Sequence, residues 1–420
     1  MSNMRPVTLQ EITTSIFDGK HGDCVDLPGS GLYFISVKDL KEYDIDYSNA
    51  REITPEDFAQ NYLRTSLENG DTIYANTGDT IGKSLFVERN NLADKTSFQK
   101  SVAVLKPNAE MVEPRYLYYL LKYETPRLRQ AATGSGQKNL LLSTMRDFET
   151  RIHDRETQSN IVAVLGCIDQ KIHTNLSIND NLWQTISTIY DYWFSQFDFP
   201  DVNGKPYYTA GGKLVWNDKI KRAIPSGWTV ASIINNPLTQ VIKPGVDAFT
   251  TKEYLATAEV TGTSIASGSI VDYENREGRA NMQPVVNSVW FAKMKNSIKH
   301  LFLNKEMAPI IDSTILSTGF CGLQCSEKSF EYVASFVSNP RFEIIKDILA
   351  HGATQEAVNN DDMESIAFVI PSDEILEQYH TATKGMFAQI SKNICENREL
   401  IKVRDWLLPM LMNGQATIAD

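Results

Sequence analysis

The hydrophobic positions between residues 161 and 193 advance in alternating steps of four and three: Ile161, Leu165, Ile168, Ile172, Asn175, Asn179, Leu182, Ile186, Ile189 and Trp193. That alternation is a coiled-coil seam, and it predicts a long helix with two asparagines at the centre of its buried stripe. A second stretch repeats the spacing with Tyr379, Thr383, Met386, Ile390, Asn393, Asn397, Leu400, Arg404, Leu407 and Leu411. It is less apolar, yet its asparagines hold the same seam positions. A buried amide costs stability unless it finds a partner, and once partnered it fixes register. Antiparallel packing about a pseudo-twofold axis sets Asn175 against Asn397 and Asn179 against Asn393. At 1.5 Å rise per residue, about 40 residues make a rod of roughly 60 Å.

The two stripes belong to a wider repeat. Displaced by 218 residues, Gly134, Gln137, Met145, Ile152, Glu156, Ile172, Asn175, Asn179 and Leu182 fall on Gly352, Gln355, Met363, Ile370, Glu374, Ile390, Asn393, Asn397 and Leu400. Such a period is far too long for a solenoid. It implies two copies of one unit, a variable globular part followed by a similar helix.

The globular parts mix both kinds of element. Residues 31–37, 71–75 and 101–105 have strand patterns, and 114–130 opens with Pro114 and carries apolar residues at helical spacing. In the second half, 288–293 and 313–316 predict strands, and 329–349 predicts one or two helices broken at Pro340. The stretch 198–227, rich in Pro, Gly and charge, is read as the connection between halves. The fold class is therefore α+β: two mixed globular domains separated by two long helices that form an antiparallel coiled coil, with an internal pseudo-twofold repeat. The boundaries expected are a first domain 1–153, a helix 154–196, a linker 197–223, a second domain 224–371, a helix 372–412 and a tail 413–420.

Composition narrows the class. The 420 residues suffice for two or three cores, and 42% hydrophobic with 10% aromatic residues excludes wholesale disorder. No apolar run approaches the roughly 18–20 residues of a membrane span, and the N-terminal residues lack an apolar signal core. Five cysteines, odd and sparse, point to free thiols in a reducing cytoplasm. The net charge of −11 argues, taken alone, against nucleic acid. Local basic clusters argue the other way: Arg115, Lys122, Arg127, Arg129 and Lys138; Lys293, Lys295, Lys299, His300 and Lys305; and Lys213, Lys219, Lys221 and Arg222.

Catalytic constellations are missing. The six histidines are scattered, and Cys321 and Cys325 have no second pair to complete a four-ligand zinc site, so they are expected as buried thiols. Gly134-Ser135-Gly136 lacks the preceding strand and third glycine of a dinucleotide loop. Asn235-Asn236-Pro237-Leu238 resembles the Asn-Pro-Pro-aromatic base-gripping loop of amino-methyltransferases, but without the second proline and the aromatic it reads as a turn.

Residues 70–83 read Gly-Asp-Thr-Ile-Tyr-Ala-Asn-Thr-Gly-Asp-Thr-Ile-Gly-Lys, a strand, a glycine turn and a second glycine before a lysine. This resembles the target-recognition domains of type I restriction–modification specificity subunits. The same resemblance extends through Gln99–Pro107, Tyr116–Leu120, Gly134–Gln137 and Leu182–Phe194, then Asp198–Pro200, Gly204–Pro206, Gly211–Lys213 and Ile224–Trp228. Trp290–Lys299, Ser317–Phe320 and Leu407–Pro409 complete it in the family's order over nearly the whole chain. Thr157-Gln158 stands where the family usually has Glu-Gln, kept here as Glu377-Gln378, and His153 stands where a proline is common.

The resemblance implies a non-catalytic, sequence-specific DNA-binding subunit. Each domain would read one half of a split, asymmetric site, with the helices as a ruler holding the readers about one turn apart, roughly 34 Å. Two modification subunits, carrying adenine methylation and S-adenosylmethionine, would be its partners, with restriction subunits optional. No cofactor or metal is expected in this chain. DNA contacts are expected from Lys83, Gln99, Lys100, Gln137 and Lys138 in the first reader. In the second they are expected from Lys293, Lys295, Asn296, Lys299, Ser317, Thr318 and Gln355. A self-contained adenine methyltransferase is the first alternative, disfavoured by the missing cofactor loop. A coiled-coil scaffold without DNA readout is the second, disfavoured by the basic clusters.

Overall fold

Two helices, Arg155–Tyr190 and Asp373–Met412, run 36 and 40 residues. In this computed structural model, residues 4–88, 90–352 and 355–416 are described. The first helix starts at Asp154, whose side chain accepts from Thr157 N at 2.9 Å and so satisfies one of the free amides of the opening turn. Gln158 locks the entry further. Its amide nitrogen donates to the His153 carbonyl at 2.8 Å and its oxygen accepts from Glu113 N at 2.8 Å. The unusual helix entry thus has its own hydrogen-bond set. The helices run antiparallel, since Asn175 meets Asn397 and, four residues on, Asn179 meets Asn393.

The chain divides into two compact units. One comprises residues up to His173 together with those from Ile401 onward, the other Thr174–Leu400. Each long helix contributes to both units. The expected tail 413–420 lies outside the described residues from 417 on.

In unit 1 a four-stranded sheet has the order Thr13–Asp18, Val102–Pro107, Thr72–Ala75, Ser84–Phe86. A second sheet places Tyr33–Ile35 between Arg51–Glu52 and Thr96–Phe98, parallel to the latter. Helix Pro114–Ala131 starts on a proline whose missing amide costs nothing there. It buries Tyr116, Leu117, Tyr119, Leu120, Leu121 and Leu128 against Leu105, Ile161 and Leu165 in one core. Leu411 and Met412, from the end of the second long helix, join that core. The His153 imidazole lies 3.1 and 3.3 Å from their two carbonyl oxygens.

Unit 2 repeats this topology. Its four-stranded sheet has the order Thr239–Val241, Phe320–Cys325, Ser288–Ala292, His300–Leu303, and Lys252–Leu255 runs parallel to Thr314–Ser317. The strand pair Arg5–Thr8 with Glu149–Ile152 recurs as Thr229–Ser232 with Ala367–Ile370. Helices Phe330–Ser338 and Pro340–Leu349 stand where unit 1 has helix Pro114–Ala131. Asn339, extended before the proline, ends the first and caps the second by accepting from Arg341 N at 3.0 Å. The internal repeat therefore spans whole domains, well beyond the stretch that aligns without gaps.

The connection between halves is packed rather than loose. Phe197, Phe199, Ile224 and Trp228 sit in the core of unit 2, and Phe199 stacks on Tyr207 and Trp228 with centroids 4.6 and 5.1 Å apart. Asp198 accepts from Thr209 N and Oγ1, both at 2.7 Å, and Leu214–Asn217 forms a hairpin with Arg222–Pro225. Residues 197–223 are thus a structured part of unit 2. Their prolines and glycines mark turns between aromatic anchors.

Candidate nucleic-acid interface

Three loops meet at one end of the large sheet in unit 1. The first, 76–83, joins the paired strands Thr72–Ala75 and Ser84–Phe86, with Gly78 and Gly82 at φ of 66° and 96°. The second is the turn before Val102, and the third is the loop closed by reciprocal hydrogen bonds between Thr133 and Asn139 at 3.0 and 2.7 Å. Backbone bonds join all three: Asn76 N donates to Ser101 O (3.1 Å), Gly78 N to Lys138 O (2.7 Å) and Leu140 N to Asn76 O (2.8 Å).

Unit 2 builds the same tip from equivalent atoms. Lys293 N donates to Gly319 O (2.9 Å), Lys295 N to Glu356 O (3.0 Å) and Val358 N to Lys293 O (3.0 Å). His351 and Ala357 exchange bonds at 3.3 and 3.1 Å, as Thr133 and Asn139 do. Of the twelve residues expected at DNA, eleven lie on these loops and Ser317 ends the strand Thr314–Ser317 beside them. The structure brings five together on the first tip and seven on the second.

Their side chains divide into two groups. Lys100, Gln137 and Lys138 are exposed on the first tip, and Asn296 and Gln355 on the second. Gln99, Lys293 and Thr318 are half-buried. The others hold the tips in shape. Lys83 donates to Val37 O at 3.3 Å, and burial, with nearby Lys41 adding to it, pushes its pKa down. Lys295 pairs with Glu356 at 2.7 Å, and Lys299 donates to Thr257 O. Ser317 is buried, with its hydroxyl accepting from Gly319 N at 3.1 Å. Asn296 sits at φ 55°, and its backbone amide donates to Asp347 at 3.1 Å.

The basic clusters read from the sequence are largely spent within the fold. Arg115 pairs with Glu88, Lys122 with Glu42 and Arg127 with Glu124, while Arg129 donates to Ile81 O, which leaves Lys138 facing outward. In the second cluster His300 is buried, paired with Glu343 at 2.8 Å. In the third, Lys221 pairs with Asp218, and Arg222 donates to Ser195 O over the Phe197 ring. Asn235-Asn236-Pro237-Leu238 forms a turn held by the Asn236 side chain, which accepts from Leu238 N at 2.7 Å and donates to Ser232 O at 2.7 Å. Cys321 and Cys325 are buried, and burial pushes the Cys321 thiol up to about 12.

Two buried polar groups escaped the sequence reading. Behind the second tip, Lys346 is fully buried and donates to Ser297 O (3.2 Å) and Glu343, fastening the loop 293–299 to helix Pro340–Leu349. In unit 1, Arg404 donates to Asp169 at 3.0 Å and to the Tyr43 hydroxyl at 2.6 Å, and Tyr119 donates to Asp169 at 2.6 Å. Burial opposes the Arg404 charge, but Glu42 and Asp169 beside it hold its pKa above the ordinary value. An arginine in a seam position was the available signal. Its partner was not visible, because Asp169 lies one place off the expected stripe.

A family profile described as "Type I restriction modification DNA specificity domain" matches residues 19–182. The HindI specificity subunit of Haemophilus influenzae is 24% identical over 409 residues, covering 84% of this chain and 88% of that protein. The MjaIX specificity subunit of Methanocaldococcus jannaschii is 24% identical over 415 residues, covering 93% and 88%. The chain is thus similar to type I restriction–modification specificity subunits over most of its length. The fold agrees: the crystal structure of the S subunit from M. genitalium superposes with a TM-score of 0.53 at 12% identity, over 98% of this chain and 96% of that one. Among the described residues no helix is long and apolar enough to cross a membrane.

Proposed function

We propose that this chain is the non-catalytic DNA-reading subunit of a type I restriction–modification complex, and that each three-loop tip reads one short word of a split site. One observation carries the reading: the same backbone tip is built twice in one chain, with unlike side chains on its loops. A conserved frame bearing different donors suits two different words, and so an asymmetric site with an uncontacted gap. Exposed Lys100 and Lys138 suit phosphate contact, and Gln137, Asn296 and Gln355 suit base edges.

The antiparallel helix pair, keyed by its asparagines, is the spacer between the readers in this proposal. Two modification subunits would bring S-adenosylmethionine and methylate adenines, in the cytoplasm, with restriction subunits as optional additions. The net charge of −11 leaves it to those partners to supply basic surface around the duplex. The test is co-expression with the modification subunit in cells lacking adenine methylation, followed by mapping of methylated adenines. Two short, dissimilar words at one fixed separation are expected. A contiguous or palindromic motif, or no motif, would overturn the reading.

A further inference from the structure

Among the described residues, the second reader has a strand without a counterpart in the first. In unit 1, Thr96–Phe98 is the last strand of its three-stranded sheet. In unit 2 its counterpart Thr314–Ser317 gains an antiparallel neighbour, Ala280–Met282, with a register shift at Asn281. Bulges of this kind bend a strand and re-aim the side chains beside them. Here the irregularity delivers the 272–279 loop to the reading tip. Thr318 N and Asn281 N both donate to the Arg279 carbonyl at 2.9 Å, and Gly245 N donates to Asn281 O at 2.8 Å. Asp272 closes the base of the loop by accepting from Asn275 N at 2.8 Å.

The two arginines of this loop have opposite fates. Arg276 is folded back, its guanidinium 4.1 Å from the Tyr273 ring centroid and donating to the carbonyls of Tyr273 and Ala280. Arg279 is exposed, and among the described residues its guanidinium meets no carboxylate, carbonyl or aromatic ring. Its carbonyl is held by two backbone donors while its charge is left unneutralised. Several other arginines of this acidic chain are consumed by internal partners, as Arg115, Arg127, Arg398 and Arg404 are.

We propose that Arg279 is a specificity-determining residue of the second reader, its guanidinium taking the O6 and N7 acceptors of one guanine in the major groove. The proposal rests on the DNA-reading function above. The chemistry favours guanine, because its two adjacent acceptors match the planar fork of an arginine, which a lysine cannot reproduce. The extra strand supplies the rigidity that such a contact needs, and its absence from unit 1 assigns the residue to the second word alone.

The full chain in complex with its modification subunit is tested by selection from randomised duplexes, as wild type, Arg279→Ala and Arg279→Lys. The wild type is expected to select two words. Both variants should keep the first word and the gap, lose the guanine at one position of the second word, and bind the wild-type site at least about tenfold more weakly. Unaltered thermal melting would show that the variants are folded. The proposal is overturned if Arg279→Ala leaves selection unchanged. It is equally overturned if that variant weakens all sequences alike, lowers the salt slope by about one and is rescued by lysine, since that is a phosphate contact. A wild-type complex that selects no two-word site would instead remove the DNA-reading assignment itself.

Discussion

Gly134 and Gly352, 218 residues apart, hold the same left-handed backbone at φ of 126° and 141°, each folded over the carbonyl of the glutamine three residues on. A Cβ at either position would stand 2.3 or 2.4 Å from that oxygen, on Gln137 or Gln355. Both the dihedral and the space therefore demand glycine. Gly134→Ala should strain the first tip and Gly352→Ala the second, by about 1–3 kcal/mol each. Footprinting of the assembled complex should show Gly134→Ala weakening protection of one half-site only, and Gly352→Ala the other. Loss of both half-sites from either change would contradict two independent tips.

The Asp169–Arg404 pair has apolar counterparts in the repeat, Phe387 and Ile186, both fully buried in unit 2. Arg404→Ile alone leaves a buried carboxylate without its cation and should cost about 3–5 kcal/mol. Asp169→Phe combined with Arg404→Ile installs the counterpart pair and should recover part of that loss, the buried Tyr119 hydroxyl remaining without its acceptor. Urea denaturation of the four variants in a double-mutant cycle measures the recovery. A purely additive result would show that the pair is not coupled.

At the middle of the seam, Asn175 donates to Asn397 and Asn393 to Asn179, each at 2.8 Å, and Asn175 is 1% exposed. Asn175→Leu should cost about 1–3 kcal/mol because the buried Asn397 carbonyl loses the Asn175 donor. Replacing both with leucine should cost less, since that amide–amide bond is removed from both sides and exposed Glu396, the other acceptor of Asn175, returns to water. The predicted defect of the double variant is positional: methylation mapping should find sites with more than one gap length. A single unchanged gap would show that the apolar seam alone sets register.

Acid should act on unit 2 through Glu343. Burial works to raise its pKa, but hydrogen bonds from His300 and Lys346 outweigh burial and hold it below its ordinary value. A carboxylate depressed in the folded state adds stability above its unfolded pKa of about 4.3, and that stability is lost as pH falls through the lowered folded value. Lys346→Met removes one of the two donors, so burial weighs more and acid unfolding should begin at higher pH. Near-ultraviolet circular dichroism against pH reads the midpoint. An unmoved midpoint would mean that His300 alone sustains the carboxylate.

The long helices and their antiparallel pairing were legible because a 3.5-residue period is a local property, written in steps of four and three from Ile161 to Trp193. The strands were legible in part: Thr72–Ala75, Val102–Pro107 and Ser288–Ala292 lie within runs of apolar and β-branched residues. The tips were not legible as assemblies. Asn76, Ser101 and Leu140 meet through backbone atoms, and backbone atoms leave no trace in residue type. Charge counting failed for a related reason: the partners of Arg115 and Lys122 are Glu88 and Glu42, distant along the chain. At 197–228 the turn formers outnumbered the aromatics, yet Phe199 and Trp228 decide the structure by stacking.

Leu411 and Met412 complete the core that begins with Val7 and Leu9. A ribosome must therefore emit nearly the whole polypeptide, including all of unit 2, before unit 1 can close. Nascent chains halted between residues 200 and 400 would carry an unfinished first reader.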